Sequence, residues 1–343
     1  MTAAPPSAAA TDAVAAIAAA AGDLMLIEDV TDGVGLTDKA PGQAVRLRGR
    51  LLIPADEAWP RLAERRPARA RPAIALLMFT LTILSCLFVG AQMAEGAGLN
   101  LLAGWPFALS LLAILAAHEF GHYLVARRLG SPTSLPYFIP MPFGPFGTLG
   151  AFITMSVPPR NRRHLLAIGA AGPLAGLVVA VPVLILGLSL SKVLPLPPGG
   201  YQMEGNSLLY AGLKLLMFGR LLPAGGEDVW IHPVAFAGWA GLLVTALNLI
   251  PAGQLDGGHI AYALLGPQGA RRATWAVLAA LVGLSFLWTG WALWLALVFF
   301  FGRMQDMPLD EVTELTVGQR ALAAAMVVIF ALVFVPIPLV VVP

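Results

Sequence analysis

The sequence is poor in cysteine and in charge, and both shortages exclude classes of protein. A single cysteine, Cys86, excludes an intramolecular disulfide and a metal site built from cysteines. Charged residues make up only 12% of the 343 positions, against about 25% in ordinary soluble domains. The net charge of +2 gives no reason to expect a nucleic-acid partner. Hydrophobic residues make up 58% and the mean hydropathy is +0.79, so the sequence predicts an integral membrane protein.

Residues 1–71 differ from the rest in composition. They are rich in Ala, Pro, Asp and Arg, and we expect a partly disordered cytoplasmic region. Within it, 13–22 and 55–66 are candidate short helices, and 45–53 is a candidate strand. The first residues lack the basic-then-apolar pattern of a signal peptide, so none is expected.

Apolar segments long enough to cross a bilayer follow, since about 20 such residues are needed. They lie at 72–94, 105–126, 165–191, from Pro233 with an interruption at Pro251, 273–302 and 321–341. The fold class predicted is an all-α, polytopic membrane protein with about six transmembrane helices. A seventh arises if 273–302 forms two helices hinged at Gly290. We divide this part into a membrane core at 72–266 and C-terminal transmembrane helices at 267–343.

Arginines in the flanks of these segments predict the orientation. Five arginines precede the first segment and five follow the second, while 95–104 contains neither Lys nor Arg. The N-terminus and the 127–164 connection are therefore predicted to be cytoplasmic, and 192–232 to lie on the other side. Within 192–232, residues 207–219 could form an amphipathic interfacial helix. The expected location is a bacterial cytoplasmic membrane, with the opening of the site toward the cytoplasm.

The second apolar segment contains His118-Glu119-Phe120-Gly121-His122, an HExxH pattern. A spacing of four residues places both imidazoles on one helix face, where they can bind one zinc ion, and Glu119 can act as a general base. A lone histidine in such a segment is often only structural. However, a charged residue at the centre of a transmembrane helix costs about 2.5–3.5 kcal/mol, so three polar groups together indicate a functional site. Arg127 and Arg128 place the pair about 8–14 Å below the cytoplasmic surface.

A hydrolytic zinc site commonly has a third protein ligand. The segment 245–266 contains Pro251 and several glycines that break a helix, and irregular backbone at membrane depth is tolerated where it lines a cavity. Asp256 in this break is the preferred third ligand, and His259 remains the alternative. Asn248, two turns earlier, could bind a substrate carbonyl.

The connection 131–160 is apolar yet rich in proline and glycine, which predicts a re-entrant loop with some β-structure. Residues 148–155 have strand character. An edge strand there could pair with an unwound substrate by β-augmentation, or the loop could merely shield the site. The candidate substrate-binding residues are Thr148, Leu149, Gly150, Ala151 and Phe152.

The HExxH pattern and the later element Asn248-Leu-Ile-Pro251-Ala-Gly-Gln-Leu-Asp256-Gly257 together resemble the site-2 protease family of intramembrane zinc metalloproteases. The segment 168–176, "IGAAGPLAG", is also similar to the family's third core helix. The resemblance implies one Zn²⁺ held by His118, His122 and Asp256, and it places Asp256 above His259. It also implies Glu119 as general base and Asn248 as a ligand of the substrate backbone.

The resemblance implies hydrolysis of peptide bonds within or near transmembrane segments of membrane proteins in the lipid bilayer. Because 192–232 is too short for a PDZ domain, the chain is most similar to the compact branch that lacks one. The Gly172–Gly176 pair is interpreted as close helix packing. The competing hypotheses are a divalent-metal transporter and a catalytically inactive membrane binding protein. The sequence gives no oligomeric state.

Overall fold

The structure, a computed structural model, describes residues 24–27, 45–47, 50–54, 71–93, 100–301, 308 and 313–342. In the described part of the chain, three strands precede the helices and form an antiparallel sheet: β1 (Leu24–Ile27), β2 (Val45–Leu47) and β3 (Arg50–Pro54), in the order β1-β3-β2. The predicted strand at 45–53 therefore forms two strands. The predicted disorder and the short helices at 13–22 and 55–66 lie outside the described residues.

Among the described residues, three helices are long and apolar enough to cross a membrane. They are α1 (Pro72–Gln92), α2 (Trp105–Arg128), which continues from a 3-10 turn at Leu101–Gly104, and α3 (Arg162–Ser189). Their positions match the first three predicted segments. Prolines in the first turns of α1 and α2 explain where those helices begin, because proline tolerates the start of a helix, where an amide donor has no partner.

Five further helices, four of them short and apolar and one long but interrupted, complete the described part of the bundle. They are α4 (Leu208–Phe218), α5 (Pro233–Asn248), α6 (Asp256–Ser285), α7 (Gly290–Phe301) and α8 (Val317–Val333). The region 273–302 is thus two helices, the second of which begins at Gly290. The helix α6 is itself divided at Gly266, whose φ of 71° and ψ of −179° are not helical.

The prediction of a last span at 321–341 is wrong at its C-terminal end. Helix α8 ends at Val333, and Pro336 and Pro338 follow, so the helix cannot continue. Residues Leu339–Val342 instead form β9, which pairs antiparallel with β7 (Tyr201–Glu204).

The fold is mostly helical rather than all-α. Besides the pair β7–β9, β6 (Lys192–Pro195) pairs with β8 (Glu227–Trp230), and β4 (Tyr137–Pro140) pairs with β5 (Thr148–Phe152). Prolines and glycines interrupt helix formation in these connections, which leaves short extended segments free to pair. The β4–β5 hairpin lies in the connection where partial β-structure was predicted.

The β4–β5 hairpin packs on α1. Phe138 contacts Phe79 with ring centroids 4.9 Å apart, and a Cβ on Gly147 would lie only 2.8 Å from the Cα of Cys86. Near its tip, Pro145 lines a small cavity together with Met93, which follows α1. The hairpin therefore runs beside α1 toward its C-terminal end.

Helix α3 is central and packs against α2, α5 and α6. Its approach to α5 is very close, because a Cβ on Gly187 would lie 2.1 Å from the amide nitrogen of Ala235. Gly238 of α5 similarly faces the backbone of Leu184. Small residues at these crossings allow the backbones to pack, as is common for helices in membranes.

The segments β6 to β8, with α4 between them, form a cap at the end of the bundle where α5 begins. A buried ammonium lies at its centre: Lys214 Nζ is 3.3 Å from Asp228 Oδ1 and 3.8 Å from Glu204 Oε1, and the side chain is 0% exposed. Tyr210 donates a hydrogen bond to the same Glu204 oxygen at 2.7 Å. Burial raises the pKa of Glu204, and the ammonium opposes that shift.

We expect Lys214→Ala to destabilise the protein strongly, because it leaves two buried carboxyl groups without their cation, a change that typically costs about 3–5 kcal/mol. The matched control is Arg220→Ala, which removes an exposed ion pair with Glu227 and should cost about 0–1 kcal/mol. Thermal unfolding in detergent compares the two variants. Equal shifts in melting temperature would contradict the role given to the Lys214 network.

Candidate metal centre

The paired imidazoles lie on one buried face of α2. His118 and His122 are 4% and 7% exposed, and their Nε2 atoms are 3.2 Å apart. The i, i+4 spacing on a helix accounts for this arrangement. Both nitrogen atoms therefore face the same small volume inside the bundle.

A hydrogen bond fixes which nitrogen of His122 faces that volume. Its Nδ1 lies 2.8 Å from the carbonyl oxygen of Ile168 on α3 and donates to it. The neutral ring then has a lone pair on Nε2, the form in which an imidazole binds a metal ion.

Asp256 comes from the break between α5 and α6. Helix α5 ends at Asn248, and Asp256 is the first residue of α6, so its carboxylate lies at a helix N-terminus, where negative charge is favoured. The two following glycines are required by close packing: a Cβ on Gly257 would lie 2.0 Å from the Leu249 carbonyl oxygen, and one on Gly258 2.2 Å from that of Gly253. The break therefore folds tightly against the start of α6 and aims the carboxylate inward.

The three side chains meet at distances that fit a metal ion. Asp256 Oδ2 is 3.2 Å from His118 Nε2, and its Oδ1 is 3.3 Å from His122 Nε2. Two ligands of a tetrahedral zinc ion, each about 2.0–2.1 Å from it, lie about 3.3–3.4 Å apart. Among the described residues, these three form a group whose ligand atoms all lie within 4.8 Å of one another. Three lone-pair donors packed this closely and largely out of water suit a shared cation.

Glycines of α3 provide the space for the imidazoles. A Cβ on Gly172 would lie 2.0 Å from His122 Nε2, and a Cβ on Gly176 would lie 3.3 Å from His118 Nδ1. The sequence predicted helix packing for this pair, but the neighbours are the candidate ligands themselves. Small-residue spacing alone could not distinguish a facing imidazole from a facing backbone.

A cavity of about 590 Å³ opens beside this group. Glu119 lines it and is 6% exposed, next to His118 in sequence. Asn248 also lines it, and its Nδ2 is 3.3 Å from His118 Nε2. Glu119, the predicted general base, and Asn248, the predicted substrate-binding residue, thus share one cavity with the three candidate ligands.

The predicted strand residues divide into two groups. Ala151 and Phe152 line the cavity, whereas Thr148, Leu149 and Gly150 do not belong to its lining. The lining continues instead through Ile153, Thr154 and Met155, which the sequence included in the candidate strand but not among the candidate site residues.

Gln254 and Leu255 of the break and His259 of α6 also line the cavity. Gln254 was missed, since a glutamine beside a helix break has no distinctive sequence signal. His259, the alternative third ligand, lies outside the three-residue group, and its Cβ faces Gly169 of α3.

Comparison with known proteins gives an independent result. The family model of peptidase family M50 matches residues 106–290. The chain is 36% identical over 238 residues to a rice protein (Oryza sativa subsp. indica) named probable zinc metalloprotease EGY2, chloroplastic. The aligned region covers 67% of this chain and 42% of the relative. It is 36% identical over 244 residues to the Arabidopsis thaliana protein of the same name, covering 68% and 42%. The Arabidopsis protein named probable zinc metalloprotease EGY1, chloroplastic, is 32% identical over 245 residues, covering 68% and 43%. The matched part of the chain thus corresponds to about two fifths of the length of these relatives.

We expect Gly172→Ala to lower the content of bound divalent metal sharply, because the added methyl group would occupy the position of the His122 ring. Gly176→Ala, whose methyl group would lie in ordinary to tight contact, should retain most of the metal. Gly212→Ala, where nothing lies within 4 Å, is the neutral control. Metal analysis of the three purified variants tests this order. Equal metal content in the Gly172 and Gly176 variants would contradict it.

Proposed function

Because the chain belongs to peptidase family M50, the site-2 protease family, we propose that it is an intramembrane zinc metalloprotease. It would hydrolyse peptide bonds within or near transmembrane segments of membrane protein substrates. The observation that supports this best is the convergence of His118, His122 and Asp256 beside Glu119 in one cavity.

The ligand set proposed for one Zn²⁺ is His118, His122 and Asp256. Two nitrogen ligands and one oxygen ligand are the donors of many hydrolytic zinc sites, which keep a fourth position for water. When bound, zinc lowers the pKa of that water toward about 7 and polarises a carbonyl oxygen.

Glu119 is proposed as the general base. It adjoins His118 and lines the cavity without belonging to the ligand group, so its carboxylate is available for proton transfer. It would accept the proton of the attacking water and then deliver a proton to the departing amine. The Nδ2 atom of Asn248 lies 3.3 Å from His118 Nε2, and Asn248 would donate its amide N–H to the substrate carbonyl oxygen.

The outer edge of the β5 strand and its continuation is the proposed binding surface for unwound substrate. Ser134 and Ser156 donate backbone hydrogen bonds to Thr154 and Pro132, respectively. The peptide group of Met155 between them, and by alternation that of Ile153, therefore points to the other edge. Both residues line the cavity, so a substrate strand paired there would pass the candidate metal centre.

The topology proposed has seven membrane crossings. They are α1, α2, α3, α5 with the first part of α6, the rest of α6, α7 and α8, with the β4–β5 hairpin re-entering beside α1. The arginines near the end of α2 and the start of α3 support a cytoplasmic site opening. The bacterial cytoplasmic membrane stays a prediction, and the plant relatives are named as chloroplastic.

We expect Glu119→Gln to retain zinc and to lose cleavage by at least about a hundredfold, since general acid–base catalysis typically contributes 10²–10⁴. His118→Ala should lose zinc as well. The measurements are zinc content and cleavage of a membrane-protein substrate in liposomes. A metal transporter would instead show zinc flux in the same liposomes, and undiminished cleavage by Glu119→Gln would refute the role of this residue.

We expect Ile153→Pro to abolish cleavage while retaining zinc, because it removes an outward N–H that an edge strand does not need for its own pairing. Ile153→Val keeps that N–H and a β-branched side chain, so it should cleave normally. Cleavage rate and zinc content of both variants check this. Normal cleavage by the proline variant would mean that the hairpin only shields the site.

A further inference from the structure

The part of α6 that contains Asp256 is a separate short helix. Gly266 interrupts α6, so its first part comprises residues 256 to 265, about 15 Å at 1.5 Å per residue. Asp256 is its first residue. The last four carbonyl groups of a helix have no partner within it, so the end near Gly266 needs donors from elsewhere. We call residues 256–265 the Asp256 helix.

Arg162, on α3, supplies donors to one of these carbonyl groups. Its Nε and Nη2 atoms donate to the Ala263 carbonyl oxygen at 3.0 and 2.6 Å, across 101 positions of sequence. Ala263 itself is fully buried. A cation at a helix C-terminus is favoured by the helix dipole, just as the carboxylate of Asp256 is favoured at the N-terminus.

Arg162 belongs to α3, and this helix also contacts His122 and Asp256 of the candidate metal centre. Ile168 accepts the hydrogen bond from His122, and Gly169 leaves room for the Asp256 carbonyl group, which a Cβ there would meet at 3.3 Å. Arg162 is the first residue of α3, about two turns before Ile168. The His122 imidazole and the Asp256 helix therefore both pack against the same helix, α3.

We propose that Arg162 is a positioning residue for the metal centre. Its guanidinium holds the C-terminal end of the Asp256 helix against α3 and so sets how far the carboxylate reaches toward the two imidazoles. This inference rests on the proposed zinc ligation by Asp256. It assigns to Arg162 a function beyond the interfacial anchoring that an arginine at the end of a membrane helix ordinarily has.

The chain offers a matched control in the next residue. Arg163 Nε also donates to a backbone carbonyl oxygen, that of Glu314, at 2.8 Å, but this contact ties α3 to the segment before α8. Arg163→Gln thus removes a similar charge and hydrogen bond without touching the Asp256 helix. Arg162→Lys keeps the charge but replaces the planar fork with a single ammonium.

The experiment uses the full chain in detergent micelles. Zinc affinity is measured by chelator competition, the Co²⁺-substituted protein is examined by visible absorption, and the metal-free protein is melted. We expect Arg162→Gln to weaken zinc affinity about 10–100-fold, the usual cost of losing an outer-shell partner. Its Co²⁺ spectrum should change as well. Arg162→Lys should fall between, and Arg163→Gln should match the wild type in affinity and spectrum.

Wild-type affinity and spectrum in Arg162→Gln would overturn the inference. So would losses of affinity that merely follow the melting temperatures of the metal-free Arg162 and Arg163 variants. If the Arg162→Gln protein does not accumulate on expression, the same measurements on Arg162→Lys test the inference. The variant Asp256→Ala separates the ligation by Asp256 from the positioning by Arg162. If Asp256→Ala keeps wild-type zinc affinity, the proposed ligation is wrong. If Asp256→Ala loses zinc but the Arg162 variants bind it normally, only the positioning role is wrong.

Discussion

The rest of the structure depends on the close approach of two imidazole nitrogens and a carboxylate inside an apolar helix bundle. Their mutual distances are 3.2 and 3.3 Å, at a place largely shielded from water. Lone pairs so arranged repel one another unless a cation lies between them. The surrounding helices therefore hold together a group that is favourable only with a cation.

Three separate parts of the chain bring the two imidazoles and the carboxylate together, each in a different way. Helix α2 provides the imidazoles at helical spacing, and the break after α5 presents Asp256 from a helix N-terminus. Helix α3 provides no ligand, yet Ile168 orients His122 and Gly172 gives the ring its space. A regular helix could not replace the break, because the packing at Gly257 requires backbone that folds back on α6.

Sequence patterns predicted the helices well where a long apolar run or a proline marks their limits, as in α1, α2 and α3. They also predicted the residues that now lie together, since HExxH spacing and the Pro251 break have direct geometric consequences. The role of Gly172 could not be predicted, because the spacing of small residues does not reveal what faces them. The pairing of β9 with β7 depends on a partner far away in sequence. Likewise, the contact of Arg162 with Ala263 spans 101 positions.

The distance in sequence between the two halves of the candidate centre has a consequence for biosynthesis. During translation, His118 and His122 enter the bilayer well before the segment that contains Asp256 has left the ribosome. Until that later segment has packed on α3, the three proposed ligands are not together. A nascent chain would therefore hold a metal ion weakly, and the proposed hydrolytic activity would arise only after the segment that contains Asp256 has been inserted.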